Sequence, residues 1–569
     1  MHRLSPLRPF WILMPLGALY LAIFGRMVSL HAAGPESTGG TDRFMVETFL
    51  HAPRGTILDR NGKVLAEDRP VWRLVLDEPP KFRRFLKTKA TPESVARELD
   101  LIAAAGNLSV DRLEKILLDP KRSYGVVSVA MKPTQVDRLK VVLKNLPGTG
   151  LRLQKDWLRV YPQGRTFAHA IGFVKQGKES RFGAFGLESL LESALQGKDG
   201  IKEALWVTGR YGVDAANRFV PMKESLGVAT TLDVRLGVVM QKELHRIQQL
   251  HEPDWSAAVA IEVDTGKLLG VAGLPDFDPN QPGSGLKRDA DGALMGLAMP
   301  ALWAIEPGST CKPFVVGGAL ASGAISLEET FSNFGHSWGH RKPPIRNARG
   351  VPDHSMTAME ILVWSSNIGA GQIGLRLGAD GLQAAFDAFG FWEPLHLTKK
   401  EPFLGFKPSK KRWQGAQGRI WTIPSVSMGH QLSLTSMRLV SAFASLVNGG
   451  FRVNPHWIGE EVKDERARVL PAEISEFLRH ALTGVVEAEH RTWLPRFEDF
   501  RWGGKSGTVK KLHEEGYTSL FVGFGPVENP TVAVIVVAEN PKGEVNFGSR
   551  VAGPAVGEIL HQAVLYFGN

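Results

Sequence analysis

Glu306-Pro307-Gly308-Ser309-Thr310-Cys311-Lys312-Pro313-Phe314 decides the reading of this chain. Pro and Gly stand just before a serine. An apolar run (Phe314, Val315, Val316, Ala319, Leu320) follows the lysine at helical spacing, which predicts a helix that starts here. Residues i and i+3 share a helix face, so the Lys312 amine lies one turn from the Ser309 hydroxyl. A hydroxyl is a weak nucleophile until an adjacent base takes its proton, and a neutral amine can be that base. Backbone N–H groups at a helix start can hold the oxyanion that forms during acyl transfer. A second Ser-x-x-Lys, Ser284 to Lys287, sits in a Pro/Gly/Asp-rich loop with no apolar helix after it, which argues against a nucleophile there. Cys311, the one cysteine, excludes an internal disulfide and reads as a small buried helix residue facing away from the Ser–Lys face.

The surrounding chain is long enough, at 569 residues, for two or three domains. Its hydrophobic share of 43% and charged share of 22% are ordinary for a globular protein. Lys+Arg 68 against Asp+Glu 58 gives a net charge of +10. Such a balance suits nucleic acid or an anionic surface. The chain carries no zinc finger, Walker loop or aromatic-basic pattern to support nucleic acid. The basic run Lys399, Lys400, Lys407, Lys410, Lys411, Arg412 reads as a solvated loop.

Residues 9–25 carry no charge and reach about 26 Å as a helix, slightly short of a bilayer core. Snorkelling of Arg26 extends the span to residue 30. The alternative is a signal peptide cleaved after His31-Ala32-Ala33. Arg26, placed between the apolar run and that site, argues for an uncleaved anchor. Flanking charge is nearly balanced and does not set the orientation. Val532 to Ala538 is apolar but only of strand length, so no second span is expected.

Residues 40–225 mix short strands and helices. Thr56 to Ala66, turning at Asn61-Gly62, predicts a hairpin. Residues 92–118 predict a helix, His169 to Val174 a strand, and Gly183 to Leu195 a helix. Thr230-Thr231-Leu232-Asp233 caps a helix to about residue 250, and strands at 257–263 and 268–272 follow. Helical segments fill 312–487. Strands at 503–508, 519–525 and 531–538 precede a terminal helix at 551–566. Strands early and late with helices between them argue an α+β fold built on a mostly antiparallel sheet flanked by helices.

Two further elements join the serine. Ser365-Ser366-Asn367 stands 56 residues on, at the end of a helical run, and Lys505-Ser506-Gly507-Thr508 stands 140 residues after that, on a strand. Chemically, Ser365 can relay a proton between Lys312 and a leaving amine. The Asn367 amide can bind a peptide backbone. Lys505 with the hydroxyls of Ser506 and Thr508 can hold a carboxylate, and Gly507 admits a close strand.

Ser-x-x-Lys, Ser-x-Asn and Lys-Ser-Gly in this order resemble the penicillin-binding proteins and serine β-lactamases, for which this motif set is known. Arg54-Gly55-x3-Asp59-Arg60-x-Gly62, Arg159-x-Tyr161-Pro162 with Gly172-Phe173, and Gly183-x2-Gly186-x-Glu188 are similar to motifs of the class B N-terminal region. Pro275-x-Phe277-Asp278-Pro279-Asn280 and Asn448-Gly449-Gly450 are similar to motifs of the transpeptidase domain. No glycosyltransferase region is recognised before the serine, which speaks against the bifunctional class A. Cys311 departs from the family's larger apolar residue, and Ser506 from the threonine of many division enzymes.

The resemblance implies a cytoplasmic tail at 1–8, a transmembrane anchor at 9–30, an N-terminal pedestal or dimerisation-type domain at 40–225 and a transpeptidase domain at 226–569. It implies a single-pass protein of the cytoplasmic membrane with its catalytic domain outside. The implied reaction is cross-linking of peptidoglycan stem peptides through a Ser309 acyl-enzyme, with β-lactams as inhibitors. Ser309, Lys312, Ser365, Asn367 and Lys505 are the implied catalytic set, and Ser506, Gly507 and Thr508 bind substrate. The backbone N–H groups of Ser309 and Thr508 form the implied oxyanion hole. No cofactor or metal is implied. The implied protein partner is a polytopic membrane glycan polymerase. Septal synthesis is favoured over elongation. The alternatives are a D,D-carboxypeptidase or β-lactamase-type hydrolase, and a non-enzymatic membrane-anchored assembly protein. Arg54 and Glu188, opposite charges in two of these motifs, are expected to form an ion pair.

Overall fold

The computed structural model describes residues 43–76, 92–117, 119, 125–146, 150–176, 181–207, 210–211, 219–283, 299–333, 337–339, 344–399, 405–459, 466–511 and 515–567. The expected tail and anchor at 1–30, and Ser284 to Lys287, lie outside them. No described helix is long and apolar enough to cross a membrane.

The chain divides into two compact units. The smaller takes the residues up to Ala52 with Lys198–Lys223. Its antiparallel strands Arg43–Leu50 and Gly200–Val207 pair over their full length, and Phe219–Val220 adds a short third strand beside them. The larger unit takes Pro53–Gly197 with Glu224–Asn569.

Its frame is an antiparallel sheet of five strands, in the order Leu268–Leu274, Trp255–Glu262, Val532–Glu539, Tyr517–Gly525, Gly503–Lys510. Val532–Glu539 is buried along its whole length, because both faces of the sheet are covered. Ala533, Ile535 and Val537 join the core under the central helices. Val534, Val536 and Ala538 join the core made by helices Val234–His251 and Gly553–Phe567. Strand alternation thus divides one apolar run between two cores. The strand that carries Lys505 is last in the order, an edge with one paired neighbour.

Helix Val234–His251 starts where the sequence signals it. The Asp233 side chain accepts from Arg235 N–H at 2.9 Å. The Asn61-Gly62 turn docks there: Asn61 Nδ2 donates to Asp233 at 2.9 Å, and Val234 N–H donates to Asp59 at 3.2 Å. Gly62 has φ of +81°, the left-handed conformation that such a turn needs.

Three expectations are corrected. The helix expected over 92–118 is two, Pro92–Gly106 and Val110–Leu117, separated by Asn107 at φ +51°. His169 to Val174 is a helical turn, Ala168–Ile171, before a strand at Val174–Gln176. Left-handed residues on either side, Phe167 at φ +63° and Gly172 at +75°, close the turn, and its four side chains are all buried. A short apolar run has no period that separates strand from helix. The helix expected up to Leu195 is interrupted at Leu191.

Glu188 is fully buried and holds two arginines. Arg54 Nε donates to Glu188 Oε2 and Arg159 Nε to Glu188 Oε1, both at 2.6 Å. Arg54 also pairs with Glu192 at 2.9 Å, and Arg181 with Asp68 at 2.8 Å. The expected Arg54–Glu188 pair is therefore part of a larger network that locks the first hairpin to the Gly186–Leu190 helix. Removing one member of a buried ion network leaves charge unpaired, at a cost of about 3–5 kcal/mol. Glu188→Ala is expected to lower the thermal midpoint by several degrees while β-lactam acylation per folded molecule stays unchanged. An unchanged midpoint in a thermal melt contradicts this role.

Candidate active site

Ser309 sits in a single 3₁₀ turn, Gly308–Cys311, that leads into the helix Lys312–Ala321. The Ser309 N–H belongs to the first turn and so has no helix partner. The turn is held on two sides. Gly308 N–H donates to the Gly429 carbonyl at 3.1 Å, and Gly429 (φ +80°) comes so close that a Cβ on it would stand 2.0 Å from the Gly308 oxygen. On the other side is the edge strand: a Cβ on Gly507 would stand 2.6 Å from the Pro307 oxygen, and one on Gly308 would stand 3.6 Å from Thr508 N. The bare backbones of Gly308, Gly429 and Gly507 are what let Thr508 N approach the nucleophile's turn. Glu306 adds a staple by accepting from the Gln431 N–H at 3.0 Å and facing His430 Nδ1 at 3.3 Å.

The Lys312 side chain is fully buried. Its Nζ donates to the Ser365 carbonyl at 2.6 Å and to Asn367 Oδ1 at 2.8 Å, with Ser365 Oγ at 3.2 Å. Burial pulls its pKa down to about 7. A neutral amine has two N–H groups and one lone pair. The carbonyl and the amide oxygen take the two N–H groups, which leaves the lone pair to accept a hydroxyl proton. Lys505 is equally buried, and its Nζ donates to Ser365 Oγ at 2.9 Å. Burial, then the like charge of Lys312, then that of Arg491 hold Lys505 well below the usual lysine range. Two buried amines bridged by one hydroxyl disfavour the doubly protonated state, and this keeps Lys312 available as a base.

Ser365 is where helix Ala358–Trp364 ends. It adopts the left-handed conformation, φ +59°, in which its carbonyl faces Lys312. The next helical segment, Asn367–Ala388 with a break at Gly378, is capped twice at its start. The Ser366 hydroxyl accepts from Gly369 N–H at 3.0 Å, and Asn347 Oδ1 accepts from Asn367 N–H at 2.8 Å. Asn347 Nδ2 and Ser366 Oγ both donate to Asn333 Oδ1, at 2.6 and 2.8 Å. This network fixes the backbone of Asn367 and so aims its side chain at Lys312.

The structure brings Ser365, Asn367, Lys312 and Lys505 into one hydrogen-bonded cluster, and sets Gly507 against the turn of Ser309. It assigns Asn367 more than the expected peptide contact: its oxygen holds Lys312, and its Nδ2 donates to the Arg346 carbonyl at 2.8 Å. Ser506 and Thr508 alternate with Lys505 and Gly507 along the strand and therefore face the opposite side. The Thr508 hydroxyl accepts from Gly548 N–H at 2.9 Å, which leaves its own proton free to donate. Cys311 is fully buried, and burial pushes its thiol up, away from thiolate chemistry. Asn333, Asn347, Glu306 and Gly429 were not found from sequence; each acts from a loop whose partner is distant in the chain.

The family profile described as penicillin binding protein transpeptidase domain matches residues 256–561, and the one described as penicillin-binding protein dimerisation domain matches residues 49–219. Among curated relatives, a probable peptidoglycan D,D-transpeptidase PenA of Neisseria meningitidis is 27% identical over 565 residues, covering 97% of this chain and 91% of that protein. The peptidoglycan D,D-transpeptidase FtsI of Escherichia coli is 26% identical over 564 residues, covering 96% and 90%. Among solved structures, penicillin binding protein 2X of Streptococcus thermophilus shares the fold, with a TM-score of 0.71 at 18% identity, covering 91% of this chain and 80% of that one. With the transpeptidase profile spanning more than half of the chain and the dimerisation profile preceding it, this protein belongs to the penicillin-binding protein transpeptidase family, in its class B form.

Proposed function

We propose that the protein is a peptidoglycan D,D-transpeptidase of cell-wall synthesis. The observation that carries this reading is the Lys312 amine, buried, drawn down to about 7, and fixed by Ser365 and Asn367 one turn from Ser309. Ser309 Oγ attacks the penultimate D-Ala carbonyl carbon of a stem pentapeptide while Lys312 Nζ takes the hydroxyl proton. The oxyanion faces the N–H groups of Ser309 and Thr508. The C–N bond to the terminal D-Ala then breaks. Ser365 Oγ delivers a proton to the leaving amine and regains one from Lys312. In the second half, the amine of a neighbouring stem peptide attacks the ester carbon and gives its proton to the base. Ser309 Oγ is expelled, and a new peptide bond joins the strands. On the edge strand the Thr508 hydroxyl donates to the terminal carboxylate of the donor, while Lys505, on the opposite face, holds Ser365 Oγ. β-Lactams mimic the donor and stop at the acyl-enzyme.

The role extends to a single-pass anchor at residues 9–30, a catalytic region outside the cytoplasmic membrane, and a polytopic membrane glycan polymerase as partner. The uncharged run at 9–25 supports the anchor. Septal synthesis in place of elongation is part of this reading; a fluorescent fusion confined to the side wall would contradict it.

The test of the reaction is purified protein with a pentapeptide donor and a stem-peptide amine acceptor. The expected result is release of D-Ala with formation of the joined peptide, the joined product rising with acceptor concentration. Release of D-Ala with water as the sole acceptor would instead identify a carboxypeptidase.

A further inference from the structure

The connection between helix Ala472–Glu487 and the edge strand Gly503–Lys510 carries a buried cation, Arg491, to which the acyl-transfer chemistry above gives no role. Its guanidinium donates to the Val485 carbonyl at 2.5 Å and to the Val363 carbonyl at 2.8 Å. Both carbonyls lie in the last turn of a helix, Ala472–Glu487 and Ala358–Trp364. A helix C-terminus carries about half a negative charge, so two of them can hold an arginine without a carboxylate. Next to Arg491, the His490 ring stacks on Trp364 with centroids 4.7 Å apart and planes 4° apart, a second clamp on the same helix end. Ser365 follows directly, and its hydroxyl is the partner of Lys505.

We propose that Arg491 is a positioning residue whose fixed positive charge sets the protonation of the Lys505–Ser365–Lys312 relay and thereby the pH range of acylation. The inference rests on the acyl-transfer reading of Ser309. The other charged groups around this point do not cancel Arg491. Lys312 and Lys505 are cations. Glu487 pairs with Arg501 at 2.7 Å on the exposed side, and Arg496 reaches the Glu487 and Ala488 carbonyls. Glu489 and His490 are exposed. Burial draws Arg491 itself down to about 10, still charged at neutral pH. Its charge is among those that depress Lys505 and His490. Proton affinity of the two-lysine relay therefore falls while Arg491 is present, so its removal raises the affinity whichever lysine holds the proton.

The experiment measures acylation by a chromogenic cephalosporin from pH 5 to 10 in the full chain, with Arg491→Gln and Arg491→Lys beside the wild type. Glutamine keeps a donor for the Val363 carbonyl without the charge; lysine keeps the charge without the fork. The expected result for Arg491→Gln is an acidic limb moved upward by about one pH unit, the order of magnitude that a nearby unit charge exerts on a titration inside a protein. Arg491→Lys is expected to keep the wild-type limb, even where its plateau rate is lower. A rate loss in Arg491→Gln with the limb in place would make Arg491 a structural clamp and overturn the proposal. So would equal shifts in both variants. Absence of any acylation in the wild type would overturn the reading beneath it instead.

Discussion

Replacing Lys312 by methionine is expected to slow β-lactam acylation of Ser309 by about 10²–10⁴-fold, the range that a positioned general base contributes. Methionine keeps most of the length of the side chain and the helix Lys312–Ala321, but it removes the amine one turn from Ser309 that can take the proton. The pH profile gives the sharper prediction. Lys312 must be neutral to act, and burial places its pKa at about 7. In the wild type the rate is level above that pH and falls about tenfold per unit below it, because the protonated amine has no lone pair. In Lys312→Met that limb disappears along with the rate, since no base remains to be protonated. Stopped-flow acylation from pH 5 to 10 checks both parts. A methionine variant that retains the wild-type limb would assign the base to another residue.

Much of the fold and most of the site were legible because they depend on local chemistry. Asp233 caps a helix by its own side chain, Asn61-Gly62 turns a hairpin by its own backbone, and Ser309 to Lys312 is a single turn. The five strands were legible from alternation or from apolar runs bounded by turns, with ends off by one or two residues. Three motifs in order singled out Ser365, Asn367 and Lys505, which the fold gathers with Lys312. What was not legible depends on partners far apart in the chain. Asn333 and Asn347 lie in loops with no period, yet Asn347 caps the helix that starts at Asn367. Arg54 and Glu188 could be paired from opposite charge, but nothing local announced that Arg159 shares the same carboxylate. The face of Ser506 and Thr508 follows from strand alternation with Lys505, yet the Gly548 N–H that occupies the Thr508 hydroxyl is 40 residues away. The strand expected at His169 failed for a different reason. Ala168 to Ile171 are buried, but left-handed Phe167 and Gly172 enforce a helical turn that four residues cannot announce.

Loss of the nucleophile has the largest effect of all. Lys312 can only accelerate what Ser309 begins, whereas Ser309→Ala leaves no oxygen to carry the acyl group, so the covalent adduct should vanish instead of forming slowly. Alanine removes a half-buried hydroxyl and no backbone contact, so the turn held by Gly429 and Gly507 should persist and the variant should melt as the wild type does. The most direct measurement is peptide mass spectrometry after incubation with benzylpenicillin, for the wild type and Ser309→Ala. The account predicts one penicilloyl group per wild-type molecule, on the peptide that contains Ser309 and on that serine, and none on the alanine form. An adduct on Ser284, or one that persists in Ser309→Ala, would contradict it.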